Sequence, residues 1–285
     1  MPWEASIALA ANRRDGAAQQ PTSRRAPNRT ASQRSPERTV LGRAASIMEA
    51  FDGGQQVLSL GELSGRTRLP KSTLHRLADQ LCEVGWIERA PGGYRIGMRL
   101  FELGTLAVEG SRLQDAAFPH LQALAARTGM AAQLAVLGGT EVVYLERIVV
   151  GRFPLPTRRG GRKPAYCTGL GKAMIAFDDD AFRAVISSRM PRKTAHTITE
   201  PSALSAELTQ VRRTGVAFDR GEAHRELVCV AAPIRLSGRA IGAVSVTAPA
   251  GRMRWDMATD AVRSAAAAIW NASASVGYGQ AWARP

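Results

Sequence analysis

Cysteine is scarce in this chain: 285 residues contain three, Cys82, Cys167 and Cys229, odd in number and far apart. That argues against a disulfide framework and points to a reducing, cytoplasmic setting. No CxxC or HxxxH spacing occurs and the four histidines are scattered, so neither a structural zinc nor a cofactor is expected. No apolar run approaches the ~18 residues that a membrane helix needs. The N-terminus lacks a basic stretch before its short apolar run, which speaks against a secretory signal. Lysine is nearly absent as well, with four among 38 cations.

The formal net charge is +14 and 45% of residues are apolar. The apolar share supports real cores, and the length suggests roughly two domains. The positive balance favours a polyanionic partner, but it is spread along the chain. Residues 1–38 carry seven arginines against three acids, and residues 39–100 carry eight cations against six acids. Charge alone does not mark a nucleic-acid-binding segment, so a motif has to.

Residues 1–38 read as a disordered basic tail, either an arm on DNA phosphates or an inert extension. Order begins near Val40, where Leu41, Ala44, Ala45, Ile47, Met48 and Phe51 recur at helical spacing up to Gly53-Gly54. A short strand or turn at 57–59 and a short helix at 60–66 follow. Thr67-Arg68-Leu69 is then a turn, with Pro70 placed to open the next helix. On that helix, 70–84, Leu74, Leu77, Ala78 and Leu81 share one face. Lys71, Ser72, Thr73, His75 and Arg76 leave its N-terminal half polar and basic. Two helices around a tight turn, the second basic at its start, form a helix-turn-helix pattern whose second helix reads base edges. The runs 86–89 and 94–96 flank Ala90-Pro91-Gly92-Gly93 and make a hairpin, a wing on which Arg89 and Arg95 can meet phosphates.

A connecting helix at about 98–109 is apolar enough to want a partner, such as its copy in a dimer. Helical spacing returns at 114–127. Strand and helix signals then alternate: a hairpin at 133–149, helices at 169–177, 178–188 and 202–213, strands at 216–219, 227–236 and 240–247, and a last helix at 255–274. A sheet flanked by helices is expected, in an α+β or α/β sensor-like domain. Residues 152–164 read as a loop holding five cations and no acid, which can steer anions or form an interface.

Two blocks carry a family resemblance. The first runs from Arg43-Ala44 through L-S-L-G-E-L (58–63) and L-P-K-S-T-L-H-R-L (69–77) to Gly85-Trp86 and Tyr94-Arg95-Ile96-Gly97. The second comprises G-L-G-K-A (169–173), the stretch Gly215 to Glu222, Val228-Cys229 to Pro233, and Gly242 to Pro249. In this order and spacing the chain resembles the IclR-type transcriptional regulators over about residues 40–275. The resemblance implies a winged helix-turn-helix domain (39–98), a linker helix (99–112) and a GAF-like effector-binding and oligomerisation domain (113–278). It implies homodimers, often paired into tetramers, on palindromic double-stranded operator DNA. It also implies a small organic or aromatic acid as effector.

By that resemblance, Gly169, Leu170, Asp219, Leu227, Cys229, Ser245 and Thr247 hold the effector. The chemistry fits, because the N–H groups of Gly169, Leu170 and Gly171 open a helix and attract a carboxylate. Ser245 and Thr247 lie two apart on a strand and can both donate to one anion. Asp219 suits a ligand hydroxyl, or serves as the protonated acid. Tyr144 and Trp255 are read as packing, and Lys172 as a helix-surface lysine. The sequence departs from the family at Arg68, where a glycine is usual, and at Arg235. If Arg68 is left-handed it costs roughly 1 kcal/mol. Two other readings are a regulator with a degenerate, non-sensing second domain and a thiol-dependent enzyme built on Cys229, His224 and Asp219.

Overall fold

The computed structural model describes residues 39–51, 55–109, 112–151 and 155–275. The tail 1–38, the Gly53-Gly54 stop, Arg152 of the basic loop and the last residues of the second domain lie outside them. The chain divides into two compact units, residues 1–98 and 99–285.

In the first unit, α1 (Val40–Glu49) starts at Thr39, whose hydroxyl accepts the Gly42 N–H. α2 (Leu60–Thr67) opens on a capping box in which Ser59 and Glu62 satisfy each other's backbone N–H groups. Arg68 ends it in the left-handed region at φ 57°, ψ 19°, so the strain anticipated for a non-glycine residue in this turn is present. Pro70 stands just outside α3 (Lys71–Glu83) rather than inside it, at ψ 139°. Leu74, Leu77, Ala78 and Leu81 of α3 are buried against Ile47, Leu63, Ile87 and Tyr94. Burying each such aliphatic side chain contributes about 1.5–3 kcal/mol.

Strands β1 (Ile87–Ala90) and β2 (Gly93–Ile96) pair antiparallel, Ile87 opposite Ile96. The stretch expected as a strand at 57–59 contributes one bridge, in which Leu58 and Tyr94 exchange backbone hydrogen bonds of 2.9 and 2.8 Å. Gly93 is needed there, because a Cβ would lie 2.1 Å from the Leu58 carbonyl oxygen.

The second unit carries α4 (Met98–Glu109) over its junction, then α5 (Arg112–Thr128), which contains Pro119. Six antiparallel strands follow in the spatial order β5-β4-β3-β8-β7-β6. They are β3 (Ala131–Gly138), β4 (Glu141–Ile148), β5 (Arg162–Pro164), β6 (Ala217–Asp219), β7 (Leu227–Leu236) and β8 (Arg239–Pro249). β5 lies within the stretch read from sequence as loop, where it pairs with β4 through Val142 and Lys163.

The period of two along β8 separates the faces. Val244, Val246 and Ala248 pack under α5 and α9 (Trp255–Ser275). Ala243 and its neighbours on the other face meet α6 (Gly169–Ile175), α7 (Asp179–Ser187) and α8 (Pro201–Thr214). Trp255 packs on Phe218 with ring centroids 5.8 Å apart, as expected of a packing residue. Arg235, at a bulge of β7, stacks its guanidinium 4.7 Å from the Phe177 ring centre, a physical reason for a residue that departs from the family pattern.

Candidate functional site

In the first unit, α3 carries its exposed residues on the face opposite its buried leucines. Lys71, Ser72, His75 and Arg76 are exposed and Thr73 is half-buried. Among the described residues, Lys71 and Arg76 make no hydrogen bond or ion pair, so both cations are uncommitted. His75 is engaged: its Nδ1 lies 3.0 Å from Asp79 Oδ2, one helical turn on. Asp79 also takes Arg89 of the wing at 2.5 Å, and Arg89 lies over the Tyr94 ring. Arg95 pairs with Glu88 across the hairpin at 2.7 Å. The helix therefore offers free cations, whereas both wing arginines would have to exchange a carboxylate for a phosphate.

In the second unit, a partly open cavity of about 480 Å³ is lined by residues of β3, β4, β7 and β8, the start of α6 and the 219–227 turn. Six of the seven residues predicted for the effector line it: Gly169, Leu170, Asp219, Leu227, Cys229 and Thr247. Ser245 does not. It lies on the same face of β8, wholly buried, and its Oγ has no hydrogen-bond partner among the described residues.

Thr247 Oγ1 donates to Gln133 Oε1 at 2.9 Å, and the Gln133 amide donates to Thr157 Oγ1 at 2.7 Å. The Thr247 hydroxyl proton is thus taken, contrary to its expected donation to an anion alongside Ser245. The helix opening is also narrower as a donor than expected. Thr168 Oγ1 accepts the Gly171 N–H at 3.2 Å, so Gly169 and Leu170 provide the remaining N–H groups on the cavity wall. Gly169 packs closely here, since a Cβ on it would lie 3.2 Å from Cys229 Sγ, a tight contact.

Further lining residues were not assigned to the site from sequence: Gln133, Tyr144, Thr157, Lys163, Thr168 and His224. Tyr144 alternates into the cavity from β4, and its hydroxyl makes no hydrogen bond among the described residues. Burial raises its pKa, so it stays a neutral donor. Of the basic loop, Lys163 reaches the wall, while Arg159 pairs with Glu146 and Arg162 with Glu141. Pattern alone gives no signal for these residues, because they come together from strands, turns and a helix start that are far apart in sequence.

Beneath the cavity lies an ion-pair cluster. Lys172, expected on a helix surface, is wholly buried instead, because α6 is enclosed on all sides. Its Nζ lies 2.6 Å from Glu222 Oε1 and 3.3 Å from Glu207 Oε1. The Glu222 N–H donates to Asp219 Oδ1 at 2.7 Å. Burial pushes the Asp219 carboxyl up to about 7, with the Glu222 carboxylate adding to the rise and the backbone N–H bonds and Lys172 opposing it.

Burial likewise pushes the Cys229 thiol up to about 12, and Asp219 adds to that. A nucleophilic thiol needs a shift in the other direction. His224 Nδ1 accepts the Glu226 N–H at 3.4 Å. The geometry therefore does not activate Cys229.

Residues 40–91 match the IclR helix-turn-helix domain and residues 105–271 match the C-terminal domain of the bacterial transcriptional regulator IclR. The chain belongs to the IclR family. As a member it is a DNA-binding transcriptional regulator with an N-terminal helix-turn-helix domain and a C-terminal effector domain. It is 33% identical to the HTH-type transcriptional regulator XynR of Escherichia coli over 74% of this chain and 86% of that protein. It is 32% identical to the glycerol operon regulatory protein of Streptomyces griseus over 80% of this chain and 94% of that one. Among solved structures, an IclR homologue from Microbacterium hydrocarbonoxydans complexed with 4-hydroxybenzoate superposes with a TM-score of 0.75 at 30% identity, covering 83% of this chain and all of that one. No helix among the described residues is long and apolar enough to cross a membrane.

Proposed function

We propose that this IclR-family regulator binds a small organic or aromatic acid in the cavity of its second unit, and that the acid changes its affinity for operator DNA. The observation that carries this reading is the cavity itself. Its walls are largely apolar, and its polar groups converge from separate elements: the Gly169 and Leu170 N–H groups, Lys163, the Tyr144 hydroxyl and Asp219. A flat aromatic ring fits such walls, and the N–H groups with Lys163 suit a carboxylate. The homologue complexed with 4-hydroxybenzoate supports the ligand class. An open cavity on which polar groups converge also speaks against a degenerate sensor.

On DNA, Lys71, Ser72, Thr73, His75 and Arg76 of α3 enter the major groove, with Arg76 in bidentate contact with guanine and Lys71 on phosphate. Arg89 and Arg95 of the wing meet phosphates after leaving Asp79 and Glu88. Residues 39–98 form the DNA-reading domain, 99–112 the linker helix and 113–278 the effector domain. The protein acts in the cytoplasm as a homodimer, or a dimer of dimers, on a palindromic operator. The exposed Met98, Phe101 and Leu106 of α4 form a face that a second copy would cover. Effector binding favours one arrangement of the two DNA-reading heads, and operator affinity follows the difference in effector affinity between arrangements.

The test is a thermal-shift screen of the full chain with benzoate, 4-hydroxybenzoate and small keto and hydroxy acids. A ligand that binds only the native state raises the melting temperature. A concentration-dependent rise with one class of acid is expected. Flat responses across the panel would refute the acid-cavity reading.

A further inference from the structure

The cavity contains a group that is at odds with an anionic ligand. Asp219 sits in its wall and is 7% exposed. Its Oδ1 accepts the N–H of Glu222 at 2.7 Å and of Ala223 at 3.4 Å. Its Oδ2 makes no hydrogen bond among the described residues, and it is not one of the fully enclosed polar atoms. One carboxyl oxygen is therefore anchored by the fold and the other is available to a ligand.

Apart from Lys163 on the wall, the cations nearest Asp219 are already committed to carboxylates. Lys172, the buried cation below Asp219, is already held by Glu222 from the turn and Glu207 from α8. Arg220, next to Asp219 on the chain, lies over the Phe218 ring and pairs with Glu207. From β7 and β4, Cys229 and Tyr144 face Asp219 as neutral groups. Cys167 on the turn before α6 is also neutral, its thiol pushed up to about 12, with Lys193 beyond it. Two titratable groups on the wall remain as rivals, Lys163 and His224. Placing a second carboxylate against Asp219 sets two like charges in contact, and such a pair retains one proton between them.

We infer that Asp219 is a specificity-determining residue of the cavity, entering the complex as the neutral acid and donating a hydrogen bond from Oδ2 to the carboxylate of the effector. The inference rests on the reading of the cavity as an acid site. The proton comes from solvent: one is taken up for each acid anion bound to the ionised protein, and the Asp219 O–H bond stays intact in the complex. The site then selects ligands that present an acceptor at this point, and it disfavours those that present only an apolar edge. With the free carboxyl poised near 7, acid affinity falls as pH rises, by about thirtyfold from pH 6 to 8.5.

The experiment is isothermal titration calorimetry of the full chain with benzoate, 4-hydroxybenzoate and pyruvate at pH 8, in two buffers of different ionisation enthalpy. Uptake of close to one proton per acid bound is expected. In Asp219→Asn the uptake should vanish and the pH profile flatten, while His224→Gln should retain the uptake. Binding without proton uptake by the unmodified protein overturns the inference, whether or not the variants fold. Uptake that persists in Asp219→Asn, or that disappears in His224→Gln, assigns the proton elsewhere and overturns it too. Failure of all three acids to bind at any pH overturns the acid-cavity reading instead, and the inference with it.

Discussion

Replacing Lys172 by Met puts the buried ion-pair cluster to a direct test. Lys172 Nζ is wholly enclosed and bridges Glu222 and Glu207. Methionine has a similar length and fills the space without the charge. Glu222, whose side chain is 4% exposed, then loses its cation, while its Oε2 already has no hydrogen-bond partner among the described residues. Breaking one side of a buried pair costs about 3–5 kcal/mol. Glu207 adds little, because it is 21% exposed and still faces Arg220 at 3.6 Å.

The double change Lys172→Met with Glu222→Met removes both charges and leaves the Glu222 N–H, a backbone group, on Asp219. It should recover most of the loss, because a neutral pair of similar volume has no stranded charge. In the single variant Glu222 can also escape by taking a proton. Its folded carboxyl is then raised above the unfolded value, so stability is full at low pH and lost as pH rises. Hydrogen exchange of β7 and β8 amides, read at pH 5 and pH 8, isolates the opening of this unit. A Lys172→Met protein within 1 kcal/mol of the parent, or a double variant as damaged as the single one, would refute this reasoning.

Further changes separate the remaining parts of the account. Arg68→Gly should stabilise the first unit by up to roughly 0.5 kcal/mol, since relief of about 1 kcal/mol of left-handed strain is partly offset by the added entropy of the unfolded glycine; a loss of stability in thermal unfolding would show that the turn is not strained. Arg76→Ala should lower discrimination between operator and mismatched DNA, by about 1–3 kcal/mol at one base pair. Lys71→Ala should weaken all DNA alike and reduce the salt slope by about one; anisotropy titrations at several salt concentrations give both quantities, and identical losses in the two variants would contradict the division. Thr247→Val, which strips Gln133 Oε1 of its donor, should weaken acid binding at least tenfold, whereas Ser245→Ala, deleting a hydroxyl without a partner, should leave it within about twofold; calorimetry giving the reverse order would place Ser245 in the cavity after all. Asp219→Asn should raise stability at pH 8 more than at pH 4.5, because a carboxyl whose folded pKa is raised to about 7 favours the fold at low pH and progressively less as pH rises toward 7; denaturant midpoints that move equally at both values would rule this out.

The elements that local pattern specifies were legible in advance. The leucine spacing of α3 and the Pro-Gly-Gly turn of the wing act over a few residues, and both were read directly. The strand β7 was placed at its observed limits, 227–236, for the same reason. What escaped depends on contacts distant in sequence. Lys172 looked like a surface residue because lysine usually is one; only the enclosure of α6 by the sheet and α8, with Glu222 fifty residues later, makes burial tolerable. β5 is three residues long and exists through its partner β4, so no periodicity announces it. The family resemblance places Ser245 at the cavity, and strand alternation agrees with its face but says nothing of its depth. Tyr144 and Lys163 reach the cavity from β4 and β5, at the other end of the strand order from Asp219 on β6, so no local pattern joins them.

The central claim is that an acid held in the second unit controls DNA binding by the first. Its most direct test is a fluorescence-anisotropy titration of the full chain on the DNA upstream of its own gene, with and without a saturating acid from the thermal-shift panel. The account predicts an operator dissociation constant that shifts by at least about fivefold with the acid and returns when it is removed. Identical titration curves, under conditions where the acid demonstrably occupies the protein, would contradict it.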